Sequence, residues 1–351
     1  MLDLATQRYA LIALAAAALF GASTPLAKLL LANIAPNMLA GLLYLGSGLG
    51  LALVQLIRRT GQRAAETPLQ AADTPWLAGA VACGGIAAPL LLLWGLAGES
   101  ASGVSLLLNL EGMLTALIAA LVFREAIGAR IWVAACLMLA AGLSLGYAPQ
   151  AGVGLSLRTL AVAAACALWA LDNNLTRRIA AADPVRIAMI KGLVAGCVNI
   201  AAALALGAQL PQALPLAGAL ALGWLAYGVS LALYILALRH LGSARAAAHF
   251  STAPFIGAAL AILLMGEPLT PAFAAAFALM LVATWLTLTE QHGHAHAHEA
   301  LAHAHLHTHD AHHQHAHRGN EGPEPHTHAH VHAPLAHSHP HLPDLHHRHP
   351  H

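Results

Sequence analysis

Charge is what this chain has least of: lysine, arginine, aspartate and glutamate together make up 9% of its 351 residues, against roughly a quarter in a soluble domain. A water-facing globule of ordinary composition is thereby excluded. Net charge is +1 with histidine neutral, so there is neither a basic field for nucleic acid nor an acidic one for a basic partner. Cysteine is equally sparse. Cys83, Cys136, Cys166 and Cys197 all sit inside apolar runs without CxxC spacing, so they read as small packing residues and define no redox compartment. No GxxxxGK[ST] run occurs, and the connections between apolar runs are too short for a nucleotide-binding domain. ATP-driven pumping is excluded on that ground, and nothing in the loops marks an enzyme.

What is present is apolar surface. Hydrophobic residues make up 58% of the chain, and because the segment after residue 290 is polar, the rest is more apolar still. A spanning helix needs about 20 mostly apolar residues, and in lipid only structures that close their own backbone hydrogen bonds survive. Cutting at charges, proline and glycine predicts ten α-helical spans, near 9–31, 35–57, 76–97, 101–123, 130–148, 158–176, 185–207, 215–238, 244–265 and 271–289. Pro36, Pro75, Pro184, Pro215 and Pro271 stand at or near five of the starts, where proline costs no helical hydrogen bond. The first apolar run continues past any small-residue cleavage site, so it is expected to be a span and not a signal peptide.

With the N-terminus inside, Arg8, Arg58, Arg59, Arg63, Arg124, Arg130, Arg177, Arg178, Arg186, Arg239 and Arg245 fall on one side. Arg158 and Lys28 fall on the other. Basic residues concentrate in cytoplasmic loops, so the expected protein is a multi-pass component of the inner (plasma) membrane with both termini in the cytoplasm.

The two halves repeat. At an offset of 142, Ala116-Leu-Ile-Ala-Ala-Leu-Val-Phe-Arg-Glu125 falls on Ala258-Ala-Leu-Ala-Ile-Leu-Leu-Met-Gly-Glu267. At 149, Phe20-Gly-Ala-Ser-Thr-Pro-Leu-Ala-Lys28 falls on Trp169-Ala-Leu-Asp-Asn-Asn-Leu-Thr-Arg177. The chain therefore divides into residues 1–149, 150–290 and a tail, 291–351. Five spans per half force the second copy to enter the membrane upside down, with Glu125 and Glu267 on opposite faces. Inverted repeats are a transporter architecture, with the substrate held near the midplane where the copies meet.

Those stretches, with Leu106-Leu-Leu-Asn-Leu-Glu-Gly-Met-Leu-Thr-Ala116, Phe123-Arg-Glu125 and Phe250-Ser-Thr-Ala-Pro-Phe-Ile-Gly257, resemble the drug/metabolite transporter superfamily, specifically its EamA-type proteins. The resemblance covers about residues 5 to 290. It implies an all-α membrane fold of two inverted five-helix repeats. It also implies a carrier of small organic metabolites or drugs, read here as an exporter coupled to protons. The common pattern has a proline near position 112, where this chain carries Glu111-Gly112.

An ionised side chain at mid-bilayer is costly and faces a cavity or a partner. Glu111, halfway along the fourth span with Asn109 and Thr115 nearby, is the first candidate for the substrate and proton path. Desolvation disfavours a carboxyl's charged form, which suits it to loading and unloading a proton. Asp172 and Asn173 in the sixth span and Lys191 in the seventh follow, Lys191 free to snorkel or to pair with Glu111 or Asp172. The run Ser251-Thr252-Ala253-Pro254 is expected to break the ninth helix and free carbonyls at membrane depth, which puts Ser251, Thr252 and Pro254 on the path. Ser23-Thr24-Pro25 offers the same in the first span. Of the aromatics, Trp169 is the strongest candidate for the cavity, ahead of Trp94, Trp224 and Tyr234.

All of the 25 histidines except His240 and His249 lie from His292 onward. With little apolar patterning and several prolines, that tail is expected to be disordered. Neutral imidazole is the commonest ligand for zinc, nickel and copper. The His-X-His runs His292, His294, His296 and His298, His303, His305, His307 and His309, and His326, His328, His330 and His332 are thus candidate ligands for a divalent metal such as zinc, nickel or cobalt. No cofactor is required by this reading. Its partners are the lipid bilayer, a small-molecule substrate, protons and metal ions, with a homodimer left open. A divalent-metal exporter, or a metal-regulated membrane sensor, is the alternative, although the spans show no acidic or histidine pair recurring along one helix face.

Overall fold

Long apolar runs closed by polar caps become ten consecutive helices in the computed structural model. It describes residues 4–59, 69–123, 128–148, 154–179, 182–241, 243–289, 292–298, 301–307, 326–332 and 335–341. Nine of the helices are long and apolar enough to cross a membrane: α1 Gln7–Leu30, α2 Pro36–Ile57, α3 Ala71–Gly98, α4 Ala101–Val122, α5 Ala129–Gly146, then α7 Pro184–Ala205, α8 Ala213–Ala237, α9 Ala246–Met265 and α10 Pro271–Leu288. The tenth, α6, Leu157–Arg178, is as long but more polar, and it packs against α3 and α4. Of its polar residues Asp172 and Asn174 are buried, whereas Asn173 and Arg178 keep exposed surface.

Local chemistry accounts for the ends. Ser100, Ser156 and Thr270 each accept a backbone N–H of the first helical turn through the side-chain oxygen, and Asp183 accepts two, from Val185 and Arg186. Such caps satisfy donors the helix leaves open. Gly266 closes α9 with φ +65, a left-handed conformation that glycine adopts without a Cβ clash.

Helix pairing follows the repeat. The second helices of the halves, α2 and α7, pack on each other, and so do the fifth, α5 and α10. The cross-pairs come in matched sets: α1 lies on α8 as α6 lies on α3, and α1 touches α9 as α6 touches α4. Such reciprocity is what two equivalent five-helix units related by a pseudo-two-fold axis produce. The α2–α7 contact depends on small residues. A Cβ on Gly192 or Gly196 would press on the backbone of Gly48 or Leu45, so this four-residue glycine spacing lets two backbones approach, as is common between helices in lipid. Large aliphatic side chains such as Leu121, Leu206 and Leu263 are mostly exposed on the outer surface, as a lipid-facing surface requires.

Among the described residues five helices depart from regular α geometry, four of them in pairs; the fifth, α1, is interrupted at Ala22, just ahead of Ser23-Thr24-Pro25, where the sequence places a break. The third helix of each half contains a π-helical turn, Val81–Ala87 in α3 and Gly223–Val229 in α8, and these lie 142 positions apart. The fourth helix of each half is interrupted, α4 at Leu108 and α9 at Ser251–Thr252. The break in α9 is where the sequence places it. The break in α4 and both π turns are not foreseen, although Pro89 follows the first π turn by two residues as Pro254 follows the α9 break.

A short antiparallel pair, Tyr147–Ala148 (β1) with Gly154–Leu155 (β2), flanks the link between halves. In the tail, where the sequence predicts disorder, the described backbone forms two antiparallel ribbons: His292–His298 (β3) with Leu335–His341 (β6), and Leu301–His307 (β4) with His326–His332 (β5). The alternation of histidine with small residues is a period-two pattern and is compatible with extended backbone. His309 lies outside the described residues, as do Arg63, Arg124 and Glu125.

Candidate functional site

Trp169, Asp172, Asn173 and Thr176 recur at three- and four-residue spacing along α6 and so share one face of the helix. That face meets the other half of the protein. Asp172 is 4% exposed, and both its oxygens receive the Lys191 ammonium of α7, at 2.6 and 2.5 Å. Thr176 Oγ1 donates a third bond, at 3.0 Å. The carboxylate lies against Gly84 in the α3 π turn, where a Cβ would overlap it. In the same turn the Gly84 carbonyl accepts the Tyr44 hydroxyl at 2.6 Å and Trp169 Nε1 at 2.9 Å. A π turn shifts the helical hydrogen-bond ladder and offers backbone to side chains, which is why such turns recur at functional sites.

Glu111 is in the first turn of α4 after its break, where an acidic group complements the positive end of the restarted helix. Its Oε1 accepts from Asn173 Nδ2 at 2.9 Å. The same amide reaches Thr115 Oγ1 at 3.3 Å, and Thr115 donates to the Glu111 carbonyl at 2.8 Å. Asn174, the neighbour of Asn173, fastens α6 to α4 through the Thr115 carbonyl at 3.1 Å. Glu111, Asn173, Asp172, Lys191 and Trp169 therefore come together as one group, built by α4, α6 and α7 with α2 and α3 supplying Tyr44 and Gly84. Lys191 pairs with Asp172 rather than with Glu111 or the membrane surface.

The remaining sequence candidates are placed elsewhere. Asn109 is buried and turned towards α10: its amide donates to the Leu106 carbonyl at 2.9 Å, and its oxygen faces Thr284 Oγ1 at 3.5 Å. It closes the α4 break and does not reach Glu111. Ser251 Oγ and Thr252 Oγ1 fold back onto the carbonyls of Ala248 and His249, at 2.8 and 2.7 Å. The carbonyls that the α9 break releases are thus occupied by the segment's own hydroxyls, and Pro254 simply opens the restarted helix.

A file of aromatic rings joins the two regions. Trp169 Nε1 is 3.3 Å from the Tyr44 hydroxyl. Tyr44 and Tyr227 have centroids 6.1 Å apart, Tyr227 and Phe20 5.7 Å, Phe20 and Phe250 5.4 Å, Phe250 and Tyr234 4.7 Å. All six are half-buried. Trp94 and Trp224, by contrast, are each 40% exposed on the outside, where tryptophan serves as an interface anchor. Tyr44, Tyr227, Phe20 and Phe250 are not singled out in the sequence, where each is one ring in an apolar run with nothing to tell inward from outward.

One end of the bundle carries a second set of charges. Lys28 Nζ donates to the carbonyls of Leu96 and Glu99 at 2.6 and 2.8 Å, closing the C-terminus of α3. Glu267 accepts the N–H groups of Ala101 and Ser102 at 2.6 and 2.8 Å, capping α4 from 165 residues away. Arg158 stacks on Trp94, its guanidinium carbon 4.0 Å from a ring centroid, and donates to the Trp94 carbonyl. Among the described side chains, no three His, Cys, Asp or Glu residues converge on a metal-sized site.

Comparison with known proteins bears on the fold and the family. The chain is 28% identical over 269 residues to an uncharacterized transporter of Methanothermobacter thermautotrophicus, covering 71% of this chain and 77% of that protein. A solved crystal structure aligns with 80% of this chain and 95% of its own, with a TM-score of 0.59 at 18% identity, and so shares the fold. A model of the EamA-like transporter family matches twice, over residues 7–146 and 157–289. This chain belongs to the EamA-like transporter family, as two copies of its five-helix unit in a single multi-pass membrane protein.

Proposed function

We propose that the protein is a secondary carrier that exports small organic metabolites or drugs in exchange for protons, with Glu111 as the group that takes up and releases the proton. One observation carries this reading. A carboxyl midway along α4, at the meeting of the two halves, has the neutral amide of Asn173 as its partner, while the neighbouring Lys191 is held by both oxygens of Asp172. A carboxylate in that position is costly without a counter-charge, so a proton or a bound substrate has to supply what the protein does not. Rocking of one half against the other would then present the loaded group to either face. The arginine distribution supports a plasma-membrane protein with both termini in the cytoplasm.

The test is flux in proteoliposomes. With an imposed pH gradient, the wild type accumulates substrate against its own gradient. Glu111→Gln keeps the volume and hydrogen bonding but cannot exchange a proton, so it inserts and folds but loses the pH-driven accumulation. Full, equally pH-sensitive activity in the glutamine variant would remove Glu111 from the mechanism.

The histidine tail supports a second, auxiliary reading, in which cytoplasmic zinc, nickel or cobalt binds the tail and modulates the carrier. Metal binding needs neutral imidazoles, so occupancy is present above histidine's ordinary value of about 6.5 and is lost as pH falls through it. Truncation after Gln291 should preserve transport and abolish most metal uptake in equilibrium dialysis. Loss of all transport in a stable, inserted truncation would instead favour a metal exporter with the histidines in its path.

A further inference from the structure

The register of the tail ribbons bears on how metal is held there. We propose that divalent metal is taken between the two arms of the tail, residues 292–307 and 326–341, each ion drawing imidazoles from both arms at facing register positions. Binding then closes the tail into a hairpin and is not the sum of separate His-X-His chelates. The proposal rests on the auxiliary reading of the tail above and names the ligands and their grouping.

The first argument is the pairing itself. In the β4–β5 ribbon, His303 is the register partner of His330, His305 of His328 and His307 of His326. The β3–β6 ribbon repeats this with three more histidine pairs, centred on His294 and His339. That ribbon ends on His298 with Leu335, and the next opens on Leu301 with His332. Each arm advances by three positions between those pairs, so both ribbons follow one register. A slip of one position would oppose His303, His305 and His307 to Val331, Ala329 and Thr327. Because strand residues alternate between faces, the three histidine pairs of a ribbon share one face.

The second argument is stability. An isolated two-stranded hairpin is marginal in water, and the other face of β4–β5 offers little to hold it: Ala302 with Val331, Ala304 with Ala329 and Leu306 with Thr327. Facing histidines do not help by themselves, since like charges directly opposite repel once they are protonated. A metal ion reverses that. Register partners on one face have Cβ atoms about 4.5–5.5 Å apart, and the next pair on that face lies about 7 Å along the strands. Two consecutive pairs therefore surround one point with four imidazoles, the number a tetrahedral zinc ion takes. Three pairs in each ribbon are enough for one such site, which gives about two tightly held ions per tail. The free energy of binding is then also the free energy that folds the hairpin.

The test uses the full-length protein in detergent, with zinc as the probe in equilibrium dialysis. One variant combines His303→Ala, His305→Ala and His307→Ala, a second combines His326→Ala, His328→Ala and His330→Ala, and a third carries all six changes. Expected are about two tightly held ions in the wild type and about one in each triple variant. The sixfold variant should lose no more than either triple, because both arms serve the same site. A sixfold loss equal to the two triple losses added together would overturn the proposal, while the tail would still bind metal through separate chelates. If the wild type binds no more zinc than the protein truncated after Gln291, the tail reading falls as well. Arm closure has its own readout, spin labels at the register partners Ala304→Cys and Ala329→Cys in a protein whose four native cysteines are replaced. Zinc should produce dipolar broadening that EDTA removes. Absence of broadening with zinc, or broadening indifferent to EDTA, overturns the proposal.

Discussion

Glycine decides more at the candidate site than any charged residue does alone. Gly84 leaves the space in which the Asp172 carboxylate sits, and a methyl group there would overlap it. Gly84→Ala must therefore push Asp172 away from Lys191. Removing one partner of a buried ion pair costs about 3–5 kcal/mol because the other charge is left uncompensated, and forcing the two apart acts in the same direction. Gly112, next to Glu111, is the control, since a Cβ there meets nothing within 4 Å, and exchanging a helical glycine for alanine stabilises by about 0.5–1 kcal/mol. Thermal unfolding in detergent should show a large fall in midpoint for Gly84→Ala and none for Gly112→Ala, and equal midpoints would remove Gly84 from the account. The charged members of this site were legible in the sequence because ionisable residues in apolar runs are few. Their pairing was not. Lys191 lies 19 positions from Asp172, and only the crossing of α6 and α7 decides between Asp172, Glu111 and the membrane surface as its partner.

Helix ends are held across the repeat, not only within it. The α3–α4 connection is fastened by Lys28 of α1 on one side and Glu267, just beyond α9, on the other. Glu267 satisfies two backbone donors that α4 would otherwise leave open, the task of an N-cap. Glu267→Ala should lower stability by about 1–2 kcal/mol, in the range of a lost cap, with Glu267→Gln in between because its amide oxygen still accepts. A detergent melting curve unchanged in Glu267→Ala would show that the contact adds nothing. At this scale the sequence was informative about spans and poor about their irregularities. Proline and hydroxyl residues announced the α9 break, whereas the α4 break passes through Leu107-Leu108-Asn109 with no helix-breaking residue. The π turns were invisible for a related reason. Both lie in stretches apolar on every side, so the added residue shifts no polar face and leaves no mark on hydrophobic periodicity.

Across the whole molecule, the functional reading depends on two equivalent halves set in opposite directions. The paired contacts between α2 and α7 and between α5 and α10, and the matched π turns 142 residues apart, follow from that relation. The site at Glu111 is a product of it, because α4 of one half meets α6 and α7 of the other there. Sequence alone showed the halves through two weak matches in order, Phe20–Lys28 with Trp169–Arg177 and Ala116–Glu125 with Ala258–Glu267. It could not show that the first helix of one copy lies on the third of the other, since that contact is set by packing and not by any local pattern. The relation has a direct physical consequence: inverted halves require α4 and α9 to end towards opposite faces of the membrane. Single cysteines at Ala126 and Pro268, in a protein whose four native cysteines have been replaced, measure this with an impermeant thiol reagent added to oriented membranes. The account predicts that Ala126→Cys reacts from the cytoplasmic side only and Pro268→Cys from the opposite side only. Reaction of both from the same side would contradict the inverted arrangement and, with it, the carrier built on it.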